Sequence, residues 1–139
     1  MKRNDPIKNL MSAAPQSIQR GQRLSKARQI LGSNSFHHLP VLEGKKVVGI
    51  LSSNDMLRLS YDFDAIDERS LDAILDHQYS IDQVMQSDVV SIPIESNVRD
   101  AAEILAKGEI HSVVVTNDQN ELEGIVTSTD MIRYLTDLF

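Results

Sequence analysis

Two short stretches of the sequence place a hydroxyl residue three positions before a carboxylate: Ser52 before Asp55, and Thr127 before Asp130. In each, a strand-like run precedes the hydroxyl and apolar residues at helical spacing follow the carboxylate. This is the pattern of a capping box, in which both side chains satisfy backbone N–H groups of a first helical turn. The same first turn also offers free N–H groups and partial positive charge to an anion. The pattern therefore leaves two roles open, ligand binding or helix capping alone.

Three histidines, His37, His38 and His111, lie at the starts of predicted strands. With a nearby carboxylate, imidazoles suit zinc or nickel. Adjacent residues of a strand point to opposite faces, however, so His37 and His38 cannot easily share a metal ion. We therefore predict no metal site, and each histidine stays open as a plain polar residue at a strand end. Because nothing pairs Ser17 or Ser91 with a base, we predict no nucleophilic catalysis and no catalytic residues.

Composition excludes several classes of function. The chain has 139 residues and no Cys, so disulfides, thiolate metal sites and Cys nucleophiles are excluded. A formal net charge of -6 and an aromatic content of 4% argue against a nucleic-acid partner. The N-terminus has no apolar run of a signal peptide, and no apolar stretch approaches the roughly 18 residues of a membrane span. We expect a cytoplasmic protein without a membrane partner.

Apolar spacing and turn residues predict the elements that position these side chains. In the first half we predict a helix capped by Asp5 with Pro6 in its first turn, a strand at 16–18, a helix at 24–31 ended by Gly32, strands at 38–42 and 47–51, and a helix at 53–59. Pro40 predicts an edge or irregular position for its strand.

The second half repeats this order, with a capping box at 80–83, a strand at 89–92, a helix at 98–105 ended by Gly108, strands at 112–116 and 122–126, and a helix at 128–138. Two such repeats bury their apolar sheet faces by packing together. We predict an α/β (α+β) fold of two pseudo-symmetric repeats, residues 1–60 and 80–139, packed through their sheets.

Residues 61–79 form an acidic linker between the repeats. Ser70 predicts the cap of a short helix that carries Leu71, Ile74 and Leu75. We favour a connector with one packed turn, and the alternative is a helix that docks a partner or regulates the protein.

Both halves resemble the CBS domain, and together they resemble the tandem pair called a Bateman module. The resemblance rests on Met11 with residues 37–41 and 49–55 in the first half, and on Met85 with residues 111–115 and 124–130 in the second. It covers nearly the whole chain except the linker. It implies a β-α-β-β-α unit in each half and two clefts between the repeats.

The resemblance also implies an adenosine-containing ligand such as AMP, ADP, ATP, S-adenosylmethionine or NAD. The contacts it implies are, to the ribose, Asp55 and Asp130 with the preceding Asn54 and Thr129; to phosphate, Ser52, Thr127, His37, His38 and His111; and to the adenine, Pro15 and Val89. The second copy has Ser112 where a basic residue often lies, so its phosphate contact depends on His111. Because histidine is mostly neutral at pH 7, a nucleoside or monophosphate fits better than a polyphosphate.

We therefore expect a stand-alone regulatory module that is not an enzyme and requires no cofactor. It would bind the adenosine ligand, form a homodimer and signal to an effector protein in trans. The alternative is a dimerisation or interaction module whose clefts stay empty.

Overall fold

The computed structural model describes residues 5–34, 36–63 and 67–139, apart from the side chain of Asp62. Asp64 and the Asp62 side chain, which contribute to the predicted acidic linker, lie outside the described part. The elements are a 3-10 turn (Ile7–Asn9), β1 (Ser12–Ala13), β2 (Ile18–Gln19), α1 (Leu24–Ser33), β3 (His38–Glu43), β4 (Lys46–Ser52), α2 (Ser53–Ser60), a second 3-10 turn (Tyr61–Phe63), α3 (Glu68–Gln78), α4 (Ile81–Val84), β5 (Ser91–Pro93), α5 (Val98–Leu105), β6 (Ser112–Thr116), β7 (Leu122–Thr127) and α6 (Ser128–Asp137). This order confirms the predicted mixed α/β fold.

The chain divides into two compact units that differ in composition from the predicted repeats. Residues 16–88 form one, here called the central unit, and residues 1–15 with 89–139 form the other, here called the C-terminal unit. Residues 1–15, which open the first repeat, therefore belong to the unit that contains most of the second repeat. Residues 80–88, which open the second repeat, belong to the unit that contains most of the first. The division at residues 60 and 80 stays a prediction about the duplicated sequence.

The central unit is built on a three-stranded sheet of order β2-β3-β4, with β2 parallel and β4 antiparallel to β3. Its helices alternate buried apolar and exposed polar positions, so each turns one stripe toward the sheet. The core takes side chains from all three strands and from α1 to α4: Ile18, Leu24, Ala27, Leu31, Leu39, Val41, Leu51, Met56, Leu71, Leu75 and Ile81.

The C-terminal unit has a four-stranded sheet of order β1-β7-β6-β5. β5 is parallel to β6, and β7 pairs antiparallel with both β6 and β1. Its core consists of Ile7, Ile92, Ala101, Leu105, Val113, Val115 and Val126. The 3-10 turn places Ile7 in this core, which holds the start of the chain against β5, β6 and α5.

A methionine–glycine contact explains why the opening segments are exchanged. In the C-terminal unit, a Cβ added to Gly124 of β7 would lie 2.5 Å from the Met11 sulfur and 3.0 Å from the Ser12 carbonyl oxygen. In the central unit, a Cβ on Gly49 of β4 would overlap the Met85 sulfur in the same way. The absence of a side chain on each glycine lets the methionine segment lie directly on the strand. The sequence places Met11 and Met85 at matching positions, but it does not reveal that each packs on the other repeat's glycine.

The linker forms a longer helix than the single packed turn that we favoured. α3 has 11 residues, and its N-cap is Asp67 rather than Ser70. The Asp67 carboxylate accepts the Ser70 N–H at 2.9 Å. That hydrogen bond lowers the pKa of Asp67. Leu71 and Leu75 are buried in the central core. The helix is therefore a structural part of the central unit.

Polar contacts fasten the same helix to α1. Asp72 accepts from Arg28 Nε at 2.6 Å, and this hydrogen bond raises the pKa of the Arg28 guanidinium. Asp76 accepts from the Ser25 N–H at 2.8 Å and from the Ser25 hydroxyl at 2.6 Å. Arg23, the N-cap residue of α1, makes no side-chain cap. Asp76 thus caps α1 from a distant position in the sequence.

Several local predictions need correction. The first helix is only a 3-10 turn, and Asp5 does not cap it: the Asp5 carbonyl accepts the Val98 N–H, and its carboxylate accepts the hydroxyl of Tyr134, which raises the pKa of that tyrosine. Gly32 lies inside α1, which continues to Ser33. Gly108 does take a left-handed conformation (φ 75°), but it follows α5 by three residues.

Pro40 lies in the middle strand of its sheet and not at an edge. The short β2 pairs with β3 only at Val41 and Leu42. Pro40 precedes this paired segment, so the absence of its N–H removes no hydrogen bond between β3 and β2. Pro40 itself pairs regularly with Ile50 of β4, and the register shift of this strand pair lies between Val41 and Leu42. The prediction of an edge position is therefore wrong.

Candidate functional site

The topology of each sheet brings the predicted hydroxyl, carboxylate and histidine residues to one end of that sheet. In the C-terminal unit Ser112, the first residue of β6, pairs with Thr127, the last residue of β7. β5 runs parallel to β6, so its start, preceded by Val89, lies toward the same end. His111 precedes β6, and α6 begins directly after Thr127. We refer to this end of the sheet as the C-terminal half-site.

The first turn of α6 is closed by a complete capping box. Thr127 Oγ1 accepts the Asp130 N–H at 3.1 Å, and Asp130 Oδ2 accepts the Thr127 N–H at 2.9 Å. The capping role of this pair is therefore confirmed. Both side chains remain partly accessible to solvent, and the exposed Thr129 lies between them in sequence. No hydrogen bond within the described residues uses Asp130 Oδ1, so one carboxylate oxygen can still accept from a ligand hydroxyl.

The central unit repeats this geometry at the end of β4 and start of α2, which we call the central half-site. Ser52 Oγ accepts the Asp55 N–H at 3.1 Å, and Asp55 Oδ2 accepts the Ser52 N–H at 3.0 Å. Asn54 is exposed in the first turn of the helix. The sheet register pairs His38 with Ser52, so these side chains point to the same face.

The histidines support the turn into each helix through their backbones. The carbonyl of His37 accepts the Ser53 N–H at 2.9 Å, and the carbonyl of His111 accepts the Ser128 N–H at 3.0 Å. Both imidazoles are exposed, whereas His38 is half-buried. His38 is the first residue of β3 and pairs with Ser52, whereas His37 and His111 each precede the first residue of their strand.

Pro15 lies apart from the C-terminal half-site. The Ala14 N–H donates to the Glu123 carbonyl at 3.2 Å, which places the end of this segment near the start of β7, away from Thr127. Ala14 itself has φ 47°, a left-handed conformation that costs a residue with a Cβ of order 1–2 kcal/mol. Pro15 is the last residue before the chain enters the central unit, three positions before the first residue of β2.

Each half-site presents donors and acceptors that suit a small ligand with hydroxyl groups. The first turn of a helix offers N–H groups, the carboxylate offers an acceptor, and a neighbouring imidazole offers a donor. In residues 5–34, 36–63 and 67–139 no group of three or more His, Asp or Glu side chains could hold a metal ion. None of the helices in that part of the chain is both long and apolar enough to cross a bilayer.

A surface cavity of about 410 Å³ lies elsewhere, at the start of α1. Its walls are Gly21, Gln22, Arg23, Ser25, Lys26 and Gln29. Asp76 already occupies the N–H of Ser25 at this helix start, so the cavity does not replace the half-sites as a candidate.

Val90, next to Val89 in the segment that leads into β5, is not among the site residues predicted from the sequence. Its side chain is 38% exposed, which is unusual for an apolar residue leading into a buried strand. Nothing in the sequence distinguishes Val90 from the other residues of 89–92, so its exposure is visible only in the structure.

Comparison with known proteins identifies the duplicated unit. The sequence model of the family described as "CBS domain" matches residues 7–62 and 81–137. These two matches together cover most of the chain and agree with the duplication read from the sequence.

Relatives of different total length contain this segment. An uncharacterized protein of Methanocaldococcus jannaschii is 28% identical over 116 residues, which are 84% of this chain and 34% of the relative. A CBS domain-containing protein of Dictyostelium discoideum is 28% identical over 131 residues, 93% of this chain and 90% of the relative. The chain spans 34%, 41% and 22% of the length of the first three curated relatives it matches.

Two solved structures have a similar fold. The CBS domain pair of protein MJ0100, in complex with 5′-methylthioadenosine and S-adenosyl-L-methionine, is 25% identical, with a TM-score of 0.74 over 94% of this chain and 98% of that chain. CBSX2 in complex with AMP is 19% identical, with a TM-score of 0.78 over 96% of this chain and 98% of that chain.

Proposed function

The chain belongs to the CBS domain family, and from that premise we propose that it is a regulatory module that binds an adenosine-containing metabolite. The observation that carries the proposal is the repeated half-site: each capping box leaves a carboxylate oxygen open at a sheet end, beside a histidine. One carboxylate can hold its helix start through one oxygen and accept from a ribose diol through the other. Capping and ligand binding are therefore compatible roles of the same residues.

The proposed contacts follow the two half-sites. Asp55 and Asp130 accept from ribose hydroxyls, and Asn54 and Thr129 lie beside them. Ser52 and Thr127, with the histidines His37, His38 and His111, face a phosphate or its substitute. Pro15 and Val89 are proposed to lie against the adenine. The ligands of the two similar CBS pairs, S-adenosyl-L-methionine with 5′-methylthioadenosine and AMP, support a nucleoside or monophosphate as the ligand class.

The proposed mechanism is regulatory and not catalytic. A ligand shifts an equilibrium between two arrangements of the protein only by the difference between its affinities for them. The adenosine metabolite would act as the signal, in the cytoplasm, with no other cofactor, and an effector protein would receive it in trans. The capping boxes, which hold α2 and α6 directly next to the proposed ligand, are the elements through which binding would reach the rest of the molecule.

Thermal unfolding with AMP, ADP, ATP, NAD and S-adenosylmethionine tests this function. A ligand at 100 times its dissociation constant adds about 2.7 kcal/mol to the free energy of unfolding. We expect at least one of the five to raise the Tm by several degrees. Adenine and ribose added separately serve as controls. If none of the five ligands changes the Tm at millimolar concentration, the sensor function fails and the module with empty clefts becomes the better explanation.

We also propose that the protein is a homodimer, and the support for this is the surface of α6. None of the ten residues of this helix, all of them described, is buried. Ile132 is 64% exposed and Leu135 is 45% exposed, and both lie on one amphipathic helix. An apolar stripe of this kind in water favours coverage by a partner surface.

Sedimentation velocity of the wild type and of Ile132→Asp tests the dimer. We expect the wild type to sediment as a dimer and Ile132→Asp to shift it to the monomer, because a charge cannot be buried at such an interface without a partner. Lys107→Asp, at an exposed polar position after α5, should leave the dimer intact. A wild type that is still monomeric at about 100 micromolar would contradict the proposal.

A further inference from the structure

The amino-terminal segment of the chain is tied to α6 by one side-chain hydrogen bond. The hydroxyl of Tyr134, on α6, donates to the carboxylate of Asp5. The segment is itself held through its backbone, because the Asp5 carbonyl accepts the Val98 N–H at 2.8 Å. Two residues further on, the Ile7 N–H donates to the Ser96 carbonyl at 2.9 Å. Tyr134 therefore connects α6 to a segment that the rest of the C-terminal unit already holds in place.

Apolar packing anchors α6 less firmly than it anchors α2, the matching helix of the central unit. None of the described α6 residues is buried, and Met131 packs against the core of its unit while staying partly exposed. The residue of α2 that matches Met131 is Met56, which is 4% exposed. Leu59 of α2 also packs against the central core, and the residue of α6 that matches Leu59 is Tyr134. A hydrogen bond thus replaces an apolar anchor at this position of α6.

The acceptor of this hydrogen bond also differs between the repeats. Asp5 lies six positions before Met11, and the residue six positions before the matching Met85 is Tyr79. Tyr79 packs against the core of the central unit. A polar pair such as Tyr134 and Asp5 can separate at a small net cost, because water takes over each hydrogen bond. The attachment of α6 can therefore respond to a ligand more readily than the apolar attachment of α2.

Tyr134 shares one face of α6 with the carboxylate of the C-terminal half-site. It follows Asp130 by four positions, and residues at this spacing lie one turn apart on the same side of a helix. The capping box joins Asp130 to Thr127 at the start of the same helix. The hydrogen bond from Tyr134 to Asp5 is what joins this helix face to a different segment of the unit.

We infer that Tyr134 is a positioning residue that, through Asp5, couples the docking of the amino-terminal segment to the binding of the adenosine ligand at the C-terminal half-site. The inference rests on the proposed function. The hydrogen bond holds the face of α6 that carries Asp130 before the ligand arrives, and such preorganisation improves affinity. By linkage, the bound ligand strengthens the attachment of the amino-terminal segment by the same factor.

Removal of the Tyr134 hydroxyl tests the inference through ligand affinity. AMP, and S-adenosylmethionine in a second series, is titrated calorimetrically into Asp55→Asn, in which the C-terminal half-site keeps its carboxylate. We expect the addition of Tyr134→Phe to weaken binding by about threefold to thirtyfold, the range for residues that modulate coupling without touching a ligand. Asp5→Ala should weaken binding equally. The combination of Tyr134→Phe with Asp5→Ala should weaken it no further, because both changes remove the same hydrogen bond.

Two controls separate positioning from a merely structural role. Circular dichroism checks that each variant is folded at the titration temperature, since a folded variant that is only less stable binds as the wild type does. Tyr61→Phe removes the hydroxyl of a tyrosine that is 65% exposed, and it should leave the affinity unchanged.

Unchanged affinity after Tyr134→Phe would overturn the inference while the proposed function stands. An equal loss of affinity after Tyr61→Phe would also overturn it, because the effect would not belong to the hydrogen bond with Asp5. If neither AMP nor S-adenosylmethionine binds the wild type, the proposed function fails and the inference falls with it.

Discussion

Replacing Leu75 with Ala is expected to lower the free energy of unfolding by about 2–5 kcal/mol, the range for deleting a fully buried leucine side chain. Leu75 lies on α3, in the segment between the two repeats, and its exposed fraction is 0%. It belongs to the same core cluster as Leu24 and Ala27 of α1. The cavity left by Ala would therefore open between α3 and the rest of the central unit and could not fill with water at low cost.

Urea denaturation followed by circular dichroism measures this effect. His77→Ala is the matched control, because His77 is exposed on the same helix and its replacement should change the stability by less than about 0.5 kcal/mol. An equally small effect for Leu75→Ala would mean that α3 is only a connector, as the sequence had led us to favour. A large effect establishes that the linker stabilises one of the two units.

The polar contacts of α3 give the same helix a second role. Arg28 with Asp72, and Ser25 with Asp76, join it to α1 through side chains that are partly buried. Asp76 supplies the helix cap that Arg23 does not. The start of α1 and the docking of α3 are therefore coupled, and a change at one should alter the stability of the other.

Local patterns in the sequence were sufficient where the interaction is local. The capping boxes at Ser52, Ser80 and Thr127 all form as their spacing predicts, because both partners lie within one turn of the same helix. The antiparallel strands are also found close to the predicted positions, since an apolar run on each side of a short turn defines them.

Interactions between distant parts of the chain could not be predicted in this way. Nothing near Met85 in the sequence indicates that it packs on Gly49, because the contact depends on the absence of a side chain 36 positions earlier. The length of α3 was underestimated for a related reason. Its N-cap, Asp67, is one of several neighbouring acidic residues, and the sequence does not show which of them caps the helix. Its contacts with α1 join residues that are distant in the sequence.

The half-sites combine both situations. The capping residues could be found from spacing alone, and the sheet register then brings them to the same end as His38 or Val89. The exposure of the Val90 side chain and the hydrogen bond from the Val114 N–H to its carbonyl are visible only in the structure. The sequence thus indicates which residues lie at the half-site, and the fold adds how firmly each is held.

Asp130→Asn should weaken the binding of AMP by about tenfold to a hundredfold at the C-terminal half-site. A hydrogen bond to a charged group is worth roughly 1.5–3 kcal/mol, and the amide removes the charge that strengthens acceptance from a ribose hydroxyl. The amide oxygen can still accept the Thr127 N–H, which Asp130 Oδ2 accepts at 2.9 Å, so the helix start should survive. Calorimetric titration measures the affinity, and urea denaturation measures the stability.

The chain offers a control with the same capping geometry outside both half-sites. Asp100 accepts the Asn97 N–H at 3.0 Å and closes a capping box on α5. Asp100→Asn should therefore change stability about as little as Asp130→Asn does, and it should leave the affinity for AMP unchanged. Loss of binding in Asp130→Asn but not in Asp100→Asn separates ribose recognition from capping. If Asp55→Asn and Asp130→Asn both keep the wild-type affinity, the carboxylates only cap their helices and the ribose assignment is wrong.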